Sequence, residues 1–219
     1  MDDGAWLRLL QLHDTALPVG AFAHSNGLEA YAQRGMRPPE LEAWLRAQLA
    51  YGFGRLDLAA IALAWSAEDG DALAALDAEL DAWKGIPSLR ATSRALGRRT
   101  HALATKLWPE RAERLPAGVA TGHHAAVLGA WSRALDLPRR PTLLAAGQGM
   151  VAAALAAATR CLPLGPERAQ ALLVALQPDV AAAAARIDAD PHASLWSATP
   201  GADLRAHEQT ALVTRLFES

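Results

Sequence analysis

Apolar residues along this chain recur at three- and four-residue spacing, and no stretch sustains the apolar–polar alternation that lines one face of a strand. That property directs the chain toward helices packed on helices. Prolines and glycines mark where each helix stops. A first helix covers about 5–12 and is broken by Pro18 and Gly20. Asn26, with Glu29 three residues later, makes a capping-box pattern that starts a second helix ending near Gly35. Pro38-Pro39 opens a third, whose apolar stripe is Leu41, Trp44, Leu45 and Leu49. Further helices are expected over 56–67, 72–83, 87–107, 119–137 and 143–159. Two more lie between 167 and 187, broken near Pro178, and a last one covers 203–216. Alanine, about a quarter of the chain, favours this reading because it has the highest helix propensity. The connections are short. The expected fold class is all-α, a single compact domain of roughly ten helices over residues 1–219.

The totals exclude several function classes. With 52% hydrophobic and 20% charged residues the chain is globular, and a net charge of −2 weighs against a nucleic-acid binder. Cys161 stands alone, so no internal disulfide forms and a reducing cytoplasm is the expected compartment. The start, Met1-Asp2-Asp3, is acidic where an export signal is basic. The most apolar run, 143–159, carries Gln148 and is short for a membrane span, so it reads as a core helix of a soluble protein.

The stretch "LPVGAFAHSNGLEAYAQRG" (17–35) is the one place where glycine, proline and polar residues crowd together. It lacks the lysine and the preceding strand of a phosphate-binding loop. Ser25 follows His24 directly, so the two do not face one another as nucleophile and base; Ser25 and Asn26 suit a helix start instead. No two of the seven histidines share a helix face at i,i+3 or i,i+4. Adjacent His123 and His124, and the alternating Asp188, Asp190 and His192, are the remaining candidate metal ligands. Arg90, Arg94 and Arg98, with Arg99, form a basic row that reads first as a solvated face and otherwise as one whose mutual repulsion an acidic partner would offset. No catalytic residue and no cofactor site emerges. The residues leave a helical protein that works through its surfaces.

At that point resemblance adds what spacing cannot. "LLQLHDTALPVGAFAHSNGLEA" resembles the N-terminal signature of the urease accessory protein UreF family. "LRATSRALGRRT", "HHAAVLGAWSRALDLP", "AATRCLPLG" and "TRLFES" resemble further blocks of that family in the same order, from Leu9 to Ser219. The resemblance implies an all-α homodimer that is not an enzyme. It implies binding to the accessory protein UreD (UreH in some species), recruitment of the GTPase UreG, and delivery of nickel to apo-urease, with GTP held by UreG. It implies His24, Ser25, Glu29, Arg215, Leu216 and Phe217 as partner-binding residues. The alternative is a helical carrier that holds nickel through its own His and Asp residues. The chain departs from the family pattern at Ala21, Ala23 and Pro166. An ungapped match also sets Gln209 and Thr210, not His207 and Glu208, where the family has a His-Glu pair.

Overall fold

Asp2 begins the first helix: its carboxylate accepts the Ala5 N–H at 2.6 Å, satisfying one of the amides a helix start leaves free. Asp69 does the same for Ala72 at 2.9 Å, and Pro38, Pro87, Pro109, Pro166 and Pro200 each occupy the first turn of a helix, where a missing N–H costs nothing. The computed structural model describes residues 1–218, which form eleven α-helical segments and no strand among the described residues. They are α1 (Asp3–Leu12), α2 (Leu28–Gln33), α3 (Pro38–Tyr51), α4 (Phe53–Ser66), α5 (Gly70–Trp83), α6 (Pro87–Leu107), the single turn α7 (Pro109–Ala112), α8 (His124–Ala134), α9 (Arg139–Cys161), α10 (Pro166–Ala189) and α11 (Pro200–Gln209). Short 3₁₀ turns lie at Ala21–Ala23, Val119–Thr121 and His192–Ser194. The fold is all-α.

Helix α4 is the axis of the domain because nearly all of its surface is apolar: Leu56, Leu58, Ala59, Ala60, Ile61, Ala62 and Ala64 are buried. Each fully buried Leu or Ile contributes about 2 kcal/mol. The small residues serve a second purpose. A Cβ at Gly129 of α8 would come within 2.3 Å of the Ile61 carbonyl, so α4 and α8 meet backbone to backbone. Two apolar clusters result. One gathers α4, α5, α8 and the first half of α9; the other gathers Leu28, Leu41, Leu45, Leu49, Val151, Leu155, Leu176 and Val180. Helices α9 and α10 pack along each other and contribute residues to both clusters. Helix α9 is long and apolar enough to cross a bilayer, the only such helix among the described residues; it packs on α10, α4 and α2.

Four expectations need correction. Helix α10 runs unbroken through Pro178. Pro178 and Val174, the residue whose carbonyl loses its partner, both face solvent, while Leu176, Val180, Ala183 and Ile187 bury the opposite face. Packing on that face outweighs the lost bond. The expected helix over 119–137 is divided at Gly122, so α8 begins at His124. The last helix ends at Gln209, not near 216, because the chain must reverse to bring residues 216–218 back against α2. Asn26 caps nothing: it is left-handed (φ 50°) and exposed, and Gly27 (φ 89°) stands at the cap position.

Candidate functional site

The 17–35 stretch and the C-terminal tail are far apart in sequence and meet in space. Gly20 takes the left-handed conformation (φ 84°) that turns the chain, and Ala21 then opens a 3₁₀ turn, so the family's second glycine is not required at 21. Gly27 allows a close crossing: a Cβ there would lie 2.7 Å from the Ala206 nitrogen of α11. Ser25 Oγ donates to Gln209 Oε1 at 2.8 Å, and the Gly27 N–H donates to the same oxygen at 2.9 Å. Ser25 Oγ also accepts the Glu29 N–H at 3.3 Å, closing the start of α2 from its own side.

Glu29 is 2% exposed, and its carboxylate turns away from the helix start toward the tail. Oε1 accepts the Leu216 N–H at 2.7 Å and Oε2 accepts the Phe217 N–H at 3.2 Å. Two backbone donors aimed at one carboxylate are the usual way a buried carboxylate is satisfied without a counter-ion. The Glu218 N–H donates to Ala23 O at 2.8 Å, and Gln33 Nε2 donates to Thr214 O at 2.9 Å. Phe217 is buried in the apolar cluster that also holds Leu28, Val151 and Leu155, with the Arg160 guanidinium 4.2 Å from its ring centroid. Arg160 also donates to Phe22 O at 2.9 Å.

The clasp fixes a surface. Phe22, Val213 and Leu216 stay exposed, as does Arg215, and a pocket of ≈ 350 Å³ lies among Phe22, Arg160, Arg215 and Leu216. His24, half-buried, follows the pocket-lining Ala23 in the chain. Burial lowers its pKa, Glu218 opposes that shift and Arg99 adds to it. The structure thus brings His24, Ser25, Glu29, Leu216 and Phe217 into one region, with Ser25, Glu29 and Phe217 buried and Arg215 and Leu216 outward. Ser219, the last residue of the C-terminal block, lies outside the described residues. Sequence reasoning did not select Gln209 or Arg160. The two-residue offset was the available signal for Gln209: that residue is fully buried in the clasp, while His207 is exposed and Glu208 pairs with Arg34 at 2.8 Å.

Three of the five candidate metal ligands, His123, Asp188 and Asp190, are engaged elsewhere. His123, fully buried, has Nε2 3.0 Å from Asp81 and Nδ1 3.0 Å from Ser93 Oγ. A carboxylate only accepts, so Nε2 carries the proton and Nδ1 accepts from the serine. Arg94 is clamped by Asp77 at 3.0 Å and Asp81 at 2.6 Å and donates to Thr121 O, so the basic row is partly internal structure. His124 is half-buried, and burial lowers its pKa to about 4. Asp188 pairs with Arg139 at 2.8 Å, Asp190 caps the Ala193 N–H at 3.0 Å, and His192 points outward. Burial pushes the Cys161 thiol up to about 11, so it is a protonated, weak ligand at neutral pH. No group of three or more His, Cys, Asp or Glu side chains among the described residues is arranged to hold an ion.

A sequence model of the family described as UreF matches residues 37–177, well over half of the chain. This chain belongs to the UreF family. The match starts after α2, the N-terminal side of the clasp, but UreF relatives aligned over nearly the whole chain cover that region too. The urease accessory protein UreF of Paracoccus denitrificans is 36% identical over 224 residues, spanning 99% of this chain and 97% of that protein. Those of Arthrobacter sp. and Nostoc sp. are 34% and 31% identical, over 97% and 100% of this chain and 96% and 98% of their own lengths.

Proposed function

We propose that this UreF-family chain is a cytoplasmic urease maturation factor and not itself an enzyme. It acts over its whole length, residues 1–219, as one homodimeric scaffold. It binds UreD (UreH in some species), recruits the GTPase UreG, and so supports nickel insertion into apo-urease. The observation that carries this reading is the clasped tail. A buried carboxylate and a buried amide hold residues 209–218 against α2, which presents Arg215, Leu216 and Phe22 outward on a fixed backbone. Arginine and aromatic side chains held in place before binding are what strong protein interfaces use.

Dimerisation finds support in α1, which is apolar on two sides. Ala5, Leu9 and Leu12 face the core, while Trp6, Leu7 and Leu10 remain 49%, 67% and 63% exposed. A second copy of the same stripe would cover them. The carrier reading has less to stand on, because His123, Asp188 and Asp190 bond to other protein groups and the five candidates do not converge on one point.

Co-purification tests the proposal. Tagged protein should capture UreD or UreH and, through that pair, UreG. Arg215→Ala combined with Leu216→Ala should weaken capture while the melting temperature stays put. Unimpaired capture by that variant would remove the tail surface from the reading, and failure of the unaltered protein to capture either partner would remove the reading itself.

A further inference from the structure

On a separate face, two guanidinium groups sit side by side without a carboxylate. Arg55, in the first turn of α4, donates Nε–H to Ala50 O at 2.9 Å; Arg186, in the last turn of α10, donates to Leu49 O at 3.4 Å. Both therefore cap the carboxyl end of α3. Among the described residues, Arg34, Arg46, Arg94, Arg111, Arg114, Arg139 and Arg205 all lie in ion pairs, and neither Arg55 nor Arg186 does. The end of a helix carries about half a negative elementary charge, against two full positive charges here. A surplus remains.

The local bonding is also incomplete. Arg186 Nε is buried and has no acceptor. Burial, and after it the neighbouring Arg55, lowers the Arg186 pKa, and no carboxylate acts in the other direction. Next to this pair stands prepared aromatic surface. The Trp196 ring lies 4.2 Å from the Arg55 guanidinium, and its own Nε1–H is tied to Ala193 O at 3.1 Å. Ala198 N–H donates to Tyr51 O at 2.8 Å, which anchors this segment to α3, and the Tyr51 side chain is 53% exposed.

We propose that Arg55, Arg186 and Trp196, with Tyr51 beside them, form a docking site for a carboxylate presented by an acidic segment of a partner protein. Guanidinium forks match carboxylates in a planar, paired geometry, and fixed Trp and Tyr rings give a peptide apolar cover. A free phosphate would use the two forks and leave the rings idle.

The test titrates intact protein with a blocked oligo-glutamate peptide, and separately with inorganic phosphate at matched ionic strength, following arginine Nε–H signals by NMR. The peptide should shift the Arg55 and Arg186 signals saturably. Arg186→Gln should weaken binding on the order of tenfold or more, while Arg168→Gln, an exposed arginine at the other end of α10, leaves it unchanged. Should Arg186→Gln fold poorly, Arg55→Lys, which keeps the charge and loses the fork, should weaken binding as well. The proposal is overturned by no saturable shift, by equal affinity in the variants, or by phosphate producing the same shifts at comparable concentration.

Discussion

The side chain of Glu29 holds the backbone of Phe217: a carboxylate that is 2% exposed accepts that residue's N–H at 3.2 Å, and the N–H of Leu216 at 2.7 Å. The link joins residues 188 positions apart, and it predicts a measurable cost. Glu29→Ala leaves a buried donor unmet and should lower stability by about 2–3 kcal/mol. Phe217→Ala, which empties a core position, should cost about 3 kcal/mol. Urea unfolding gives the global effect, and tryptic cleavage after Arg215 gives the local one. Both variants should be cut faster. Wild-type stability and cleavage in Glu29→Ala would show that the bonds hold nothing.

A second prediction separates two causes of glycine intolerance. Gly27 and Gly35 both have φ near 90°, but a Cβ at 27 would meet the Ala206 nitrogen at 2.7 Å, whereas nothing lies within 4 Å at 35. Gly35→Ala should cost only the left-handed strain, about 1 kcal/mol. Gly27→Ala must also push α11 off α2 and should cost at least about 2 kcal/mol, with faster cleavage of the tail. Equal losses at the two positions would mean that the α2–α11 crossing gives way freely.

Acid should weaken the protein through two half-buried histidines, His13 and His124. Burial lowers His13 and His124 to about 4, and each is a base. The unfolded chain takes up their protons below about 6.5, whereas the folded chain does so only near 4. Unfolding therefore binds protons between those values, and stability falls as pH drops through that window. Between pH 7 and pH 5 each ring should account for about 1–2 kcal/mol of loss. Lowered His123, His24 and His101 add in the same direction. Urea unfolding at the two pH values should show a shallower dependence for His13→Gln with His124→Gln than for wild type; an unchanged dependence would place both rings in contact with water.

Most of the helices were legible in the sequence because their apolar spacing and proline starts are local properties. The tail was not. Nothing near Leu212 or Val213 announces a reversal, since its cause is Glu29 and Ser25 at the other end of the chain. Glu29 itself was legible as a residue and illegible as a role: its position three after Asn26 fits a capping box, yet its carboxylate serves the tail. Pro178 looks like a break in the sequence for a similar reason, as the buried face that holds α10 together belongs to packing with α9 and α4. His123 and His124 were noticed as neighbours, but only the fold shows the first bonded to Ser93 and Asp81.

The last prediction concerns the second copy of the chain. Trp6, Leu7 and Leu10 lie on the outer side of α1, opposite the buried Ala5 and Leu9, so their exposure is not a by-product of poor packing. Leu7 and Leu10 stand one turn of helix apart, where two side chains make a continuous apolar strip. An isologous pairing would lay each strip on its twin and exclude water from both. Aspartate at both positions places four carboxylates in that contact and should abolish pairing, because charges without partners are costly to bury. Both positions are mostly exposed, so the helical circular dichroism and melting of the monomer should be little changed. Light scattering should then report about twice 23.1 kDa for the unaltered protein and 23.1 kDa for Leu7→Asp with Leu10→Asp. A dimer that survives both charges must be built on another face, and unaltered protein found only as a monomer at micromolar concentration would leave this strip to a different partner.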